Sequence, residues 1–175
     1  MPTPNYLYTP LSNPWSIRVF ILQRANKFDD PLLGTLREVM LPAKSPIQLL
    51  KEKAVQLGCQ NLNSLPTPTV DAIFNPLDIG KCTHYDALSY VWGEKGGNIP
   101  MLCEGKSIEI TKNCEEVLRY LRRHNEDRVL WVDAICINQN SDREKSRQVE
   151  LMGHIYKSAS TVTIGLVQVY WTIMP

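Results

Sequence analysis

The chain has 175 residues, one domain's worth, and a domain of that size buries roughly 70% of its unfolded surface without disulfide or metal support. Hydrophobic residues make up 43% and charged residues 21%, which excludes global disorder. With 19 basic and 18 acidic residues the formal charge is +1, too weak a field to recruit nucleic acid.

Five cysteines (Cys59, Cys82, Cys103, Cys114, Cys136) give an odd count with no C-x-x-C pair. That spacing suits neither a disulfide framework nor a zinc site, and points to reduced thiols in the cytoplasm. The opening Met1-Pro2-Thr3-Pro4-Asn5 lacks the basic and apolar regions of a signal peptide. The most apolar run, Val162 to Met174, is shorter than the ~20 residues of a membrane-spanning helix. No membrane segment is expected.

In chain order, Trp15–Leu22 (WSIRVFIL) reads as a strand, and Leu36–Leu41 is placed to pair with it. Residues 1–41 thus form lead-in strands. Residues 42–84 form a connecting region broken by Pro42, Pro46, Pro66, Pro68 and Pro76. Within it Leu49, Leu50, Lys53, Ala54 and Leu57 predict one short helix stopped by Gly58.

From Tyr85 strands and helices alternate. Tyr85–Trp92 predicts a strand, followed by a glycine-rich loop, Gly93–Gly97. Ile99–Cys103 and Ser107–Ile110 flank Glu104-Gly105-Lys106 as a hairpin. Cys114, Val117, Leu118 and Leu121 mark an amphipathic helix, with Glu115 and Glu116 in its first turn and Arg122 and Arg123 in its last. Val129–Ile137 (VLWVDAICI) reads as one strand buried on both faces. Ser141-Asp142-Arg143-Glu144 has the form of a capping box opening a helix to about Lys157, its stripe being Val149, Met152, Ile155 and Tyr156. Strand Val162–Ile164 follows. The alternation predicts an α/β fold with a partly parallel sheet and a β-hairpin insertion, its core spanning 85–167 and an atypical tail 168–175.

The common P-loop, dinucleotide, zincin and nucleophile-elbow motifs are missing from the sequence. Asp133 is a carboxylate inside an apolar strand, so it either lines a cleft at the strand's carboxyl end or caps backbone amides. Asn138 and Gln139 follow at once, suited to reading a ligand's polar groups or to satisfying their own loop. Cys136 is a nucleophile only with a base such as His154 nearby, and otherwise an inert buried thiol. Glu144 either faces a ligand held by Asp133 and Asn138 or serves the capping box alone. In either case Glu144→Gln should leave the fold intact, because the amide can still cap a helix, and in the first it should abolish turnover. Ser89, Tyr90 and Trp92 end the earlier strand as a second wall or as core. Met101, Trp131, Met152 and Tyr156 read as core.

Tyr85–Gly93 (YDALSYVWG) and Leu130–Gln139 (LWVDAICINQ) resemble the two signature blocks of the fungal heterokaryon-incompatibility (HET) domain. Glu144, Gln148-Val149, Met152, Ile155-Tyr156 and Ala159 resemble its third block, in order. Ile110–Asn113 and Leu118–Leu121 resemble its middle helix, and Tyr8, Leu11 and Ile17–Leu22 its lead-in strand. The resemblance implies non-self recognition after hyphal fusion, ending in growth arrest and cell death. It also implies a distant likeness to the flavodoxin-like sandwich of Toll/interleukin-receptor (TIR) domains. Some of those hydrolyse NAD with a catalytic glutamate, and others only assemble with partners or themselves. Carried over, Glu144 is the position to test as catalytic, with Asp133 beside it. Ser89, Trp92, Asn138 and Gln139 would then line the ligand site, with NAD as substrate and no metal.

Two departures stand out. Lys145 occupies a position where the family usually has arginine, keeping the charge but not the planar fork. Gly165-Leu166-Val167 stands where the family continues into a tryptophan-leucine-glycine strand end, and the usual C-terminal remainder does not follow. The expectation is a truncated product or a minimal domain.

Overall fold

A computed structural model describes residues 3–41, 51, 54–58, 84–93 and 99–165. Strand β1 (Ser16–Leu22) and strand β2 (Leu33–Met40) form the predicted lead-in pair, antiparallel from Ser16↔Met40 to Leu22↔Gly34. Six of the seven β1 residues are buried, as suits a strand covered on both faces. Of the predicted connecting helix, Lys51 and Ala54–Gln56 are helical, and Gly58 carries the positive φ of 67° expected at a stop. The rest of 42–83, and the tail from 166, lie outside the described residues.

Strand β3 (Asp86–Tyr90) precedes the hairpin of β4 (Ile99–Cys103) and β5 (Lys106–Ile110). The hairpin turns on Glu104 and Gly105, both at positive φ (53° and 74°), the geometry that matches strand twist in a two-residue loop. Helix α1 (Lys112–Leu121) is capped by the Thr111 side chain, which accepts from the Cys114 amide, and it buries Cys114, Val117 and Leu118. Arg119 lies in its last turn while Arg122 is already the C-cap, one turn earlier than the charge pattern predicts.

Strand β6 (Arg128–Val132) ends sooner than the apolar run implies. Asp133–Cys136 forms a single helical turn, α2, closed by the Ile137 amide donating to the Asp133 carbonyl at 3.2 Å. Apolarity alone does not separate a short buried helix from a strand, which is why the sequence reads through it. Helix α3 (Asp142–Ser158) starts at the Ser141 cap, whose hydroxyl accepts from the Glu144 amide at 3.3 Å. It buries Gln148, Leu151, Ile155 and Ser158, with Met152 and Tyr156 half-buried against the core. Val149 is 59% exposed, so the predicted stripe is displaced by one residue at its start. Strand β7 (Thr161–Gly165) completes the sheet.

The sheet order is β5-β4-β2-β1-β6-β3-β7. Strand β1 is antiparallel to both β2 and β6, β2 pairs with β4 in parallel, β4 and β5 are antiparallel, and β6, β3 and β7 run parallel. The architecture is α/β with a mixed, partly parallel seven-stranded sheet. In that parallel half the first strand in chain order lies between the second and the third. Trp131, Phe20, Leu130 and Ile155 are at zero exposure at its centre. No helix among the described residues is long and apolar enough to cross a membrane.

Candidate functional site

The predicted site residues fall into two clusters. The first lies at the carboxyl ends of β3 and β6, where unpaired backbone groups of parallel strands form a crevice. Asp133 opens α2 there, its Oδ2 accepting from Trp92 Nε1 at 2.9 Å and its Oδ1 from the Ala134 amide at 2.7 Å. Burial pushes the Asp133 carboxyl above its ordinary range, opposed by those two hydrogen bonds. Trp92 is 42% exposed and Ser89 is open to solvent beside it. Tyr156 hydrogen-bonds Ser89, and its phenol is pushed up first by burial and then by the Asp133 charge. Tyr90 is half-buried and Cys114 buried on the other side, the thiol raised to about 12 chiefly by desolvation.

Asn138 and Gln139 satisfy their own loop. Asn138 Oδ1 accepts from the Asn140 amide at 3.1 Å, and Gln139 Nε2 donates to the Asp133 and Ile137 carbonyls at 3.0 and 3.3 Å. The second cluster surrounds Glu144. Arg18 Nη1 donates to Glu144 Oε1 at 2.5 Å and Nη2 to Oε2 at 3.1 Å, while the Asn138 amide also donates to Oε1 at 2.8 Å. The same guanidinium reaches the Cys136 carbonyl at 3.1 Å and the Thr9 carbonyl at 2.6 Å, and lies 5.1 Å from the Tyr8 ring centroid. Tyr8 in turn donates to the Ile135 carbonyl at 2.8 Å.

Glu144 therefore does not close the capping box. Its backbone takes the Ser141 cap, but its carboxylate is bound by Arg18, and the Ser141 amide turns to the Asn138 carbonyl at 3.1 Å. The pair is 4% and 13% exposed. Above Glu144 and Gln148 runs an open groove of about 730 Å³, walled by Pro10–Pro14 and the start of α3.

Cys136 is fully buried, its thiol raised to about 12, and it contacts the Val132 amide and the Leu130 carbonyl. His154 packs edge-on against Trp15 at 5.4 Å instead. Cys136 is the inert thiol. No group of three or more His, Cys, Asp or Glu among the described residues is placed to hold a metal.

Arg18 is the residue whose role the sequence conceals. The available signal is a single arginine within SIRVFIL, since a guanidinium inside a buried strand requires a countercharge.

Residues 85–170 match the family model described as "Heterokaryon incompatibility protein (HET)". The chain is similar to heterokaryon incompatibility protein 6, OR allele, of Neurospora crassa, with 39% identity over 95 residues. That alignment covers 47% of this chain and 14% of the relative, so the chain spans a small part of that protein's length. No solved structure matches. Trp92, Asp133 and Glu144 all fall within the matched segment, and the match identifies residues 85–170 as a heterokaryon incompatibility (HET) domain.

Proposed function

We propose that this chain acts in fungal non-self recognition as a cytoplasmic cell-death effector that signals by assembling with itself or a protein partner. The observation carrying this reading is the state of Glu144. Both of its oxygens are held by Arg18, with a backbone amide adding a third bond. A carboxylate held in that way ties the lead-in strand to the loop before α3, which is the work of a scaffold. The test is expression of the chain in hyphae or yeast, scored for death, beside measurement of cellular NAD. Death without NAD loss is expected. Death that always follows NAD loss would overturn the scaffold reading.

A second reading is nucleotide hydrolysis, with NAD as substrate, Glu144 and Asp133 as catalytic carboxylates, and Ser89, Trp92, Asn138 and Gln139 lining the site. It is supported by Asp133, a partly desolvated carboxyl beside an exposed indole at the ends of parallel strands. The second–first–third order of β6, β3 and β7 also agrees with the start of a flavodoxin- or TIR-like sheet. Loss of NAD with purified protein, abolished by Asp133→Asn in a folded variant, would establish this reading.

A further inference from the structure

At the carboxyl end of α1, two guanidiniums converge on the same loop oxygens. Arg119 Nη1 and Arg122 Nη1 both donate to the Asp30 carbonyl at 2.9 Å. Arg119 Nη1 and Arg122 Nη2 both donate to the Phe28 carbonyl, at 2.8 and 2.7 Å. Cations that share an acceptor stand close enough to repel. Arg119 is answered by Glu115 at 2.8 Å, whereas among the described residues Arg122 donates to backbone carbonyls and forms no salt bridge. Burial, and then the Arg119 charge, push the Arg122 guanidinium below its ordinary range, with Asp30 opposing them. The Asp30 carboxylate itself accepts from the Lys27 amide at 3.0 Å.

Beside this pair lies a pocket of about 200 Å³. Lys27 and His124 also line it, and among the described residues its lining holds no Asp or Glu. The Lys27 ammonium has no hydrogen bond or ion pair among the described residues, and the His124 ring is fixed by Nδ1 at 3.1 Å from the Ala25 carbonyl. Phe28 and Tyr120, edge-on with ring centroids 5.3 Å apart, supply an apolar wall, which strengthens charge interactions beside it.

We propose that this pocket binds a small tetrahedral oxyanion of the phosphate class, held between Lys27 and the Arg119–Arg122 pair. Charge selects an anion: of three full positive charges at the pocket, Glu115 answers one. Donors remain for it, since the Lys27 ammonium and Arg122 Nε are unused among the described residues. The carbonyls of a helix end ordinarily repel an anion, but three of them are occupied here. Leu118 accepts from the Arg122 amide at 3.0 Å, Leu121 from Arg128 Nη1 at 3.2 Å and Arg123 from the Ala25 amide at 3.1 Å. Size selects the class, because the pocket is smaller than the roughly 300 Å³ at which sites for whole organic ligands begin. A phosphate group enters, and the remainder of a monoester stays outside.

The test is titration of the full chain with inorganic phosphate, followed by amide NMR shifts, with sodium chloride at matched ionic strength as reference. Saturating shifts at Lys27, Phe28 and His124 are expected, with a Kd on the order of 1 mM. Lys27→Gln, at an exposed position, should weaken binding by about fivefold, and Lys27→Glu, which supplies a carboxylate from within, should abolish it. Phosphate at ten times its Kd should also slow tryptic cleavage after Lys27 by about tenfold, since only the closed loop binds. Glycerol 3-phosphate identifies the source: equal shifts assign the site to monoesters, and no shifts assign it to the free ion. Shifts that fail to saturate, that chloride reproduces, or that persist unchanged in a folded Lys27→Glu variant would overturn the site.

Discussion

Arg18 and Glu144, 126 residues apart, are joined through both guanidinium nitrogens and both carboxylate oxygens. The pair fastens β1 to the first turn of α3. It makes Glu144→Gln a structural change, whereas the capping reading expects the amide to be harmless. The variant leaves a guanidinium that is 4% exposed without its countercharge, and a loss of roughly 3–5 kcal/mol is expected. Arg18→Met should cost a similar amount, and Arg18→Met/Glu144→Leu should recover most of it, because a well-packed apolar pair has no charge to desolvate. Urea unfolding of the three variants checks this, and a Glu144→Gln protein as stable as wild type would refute it.

Asp133 gives a pH signature. Its folded carboxyl titrates above the ordinary value of 3.8, so the folded state favours the protonated form. The stabilisation is full below that value and is lost as pH rises through the raised one. Asp133→Asn cannot ionise, so its stability deficit against wild type should be larger near pH 4 than at pH 7. The Trp92 indole N–H, which donates to Oδ2, should shift in NMR spectra through the same window. Thermal melts across that range would show the opposite slope if the carboxyl were stabilised in its charged form.

Gly34 is fixed by crowding. A Cβ there would overlap the Phe20 ring and lie 2.6 Å from the Ile21 carbonyl. Phe20 is fully buried at the sheet centre and has nowhere to move. Gly34→Ala should therefore destabilise by about 1–3 kcal/mol, read as a lower Tm with unchanged secondary structure.

At the end of α1, Arg122 donates to the carbonyls of Lys27, Phe28, Asp30 and Pro31, and Arg119 shares two of them. The two guanidiniums hold the loop between β1 and β2 in place. Arg122→Ala should speed tryptic cleavage after Lys27 by about tenfold at native pH, since local opening governs such cuts. Cleavage at the wild-type rate would show that the loop holds itself.

The strands were legible in the sequence wherever apolar runs were bounded by turn residues, as in β1, β2 and the β4–β5 hairpin. The start of α3 was not. Val149 looks like the core residue, but Gln148 is buried because its amide reaches the Ser16 carbonyl at 3.0 Å, a partner 132 residues away. Glu144 was misread in the same manner. Its local setting explains a cap, while the charge that binds it comes from β1. Ser89, Trp92 and Asp133 do gather at the strand ends as the alternation implies, whereas Asn138 and Gln139 turn to their own loop.

The central place of β1 bears on how the domain is cut and moved. The segment recognised as the family begins at residue 85, yet β1 and β2 stand between β4 and β6 in the sheet. A gene fusion carrying only 85–170 would divide the sheet into an orphan hairpin and a three-stranded remnant, with Glu144 deprived of Arg18. The recognisable stretch is thus smaller than the heritable folding unit, and recombination breakpoints that preserve a working protein should fall upstream of Ser16.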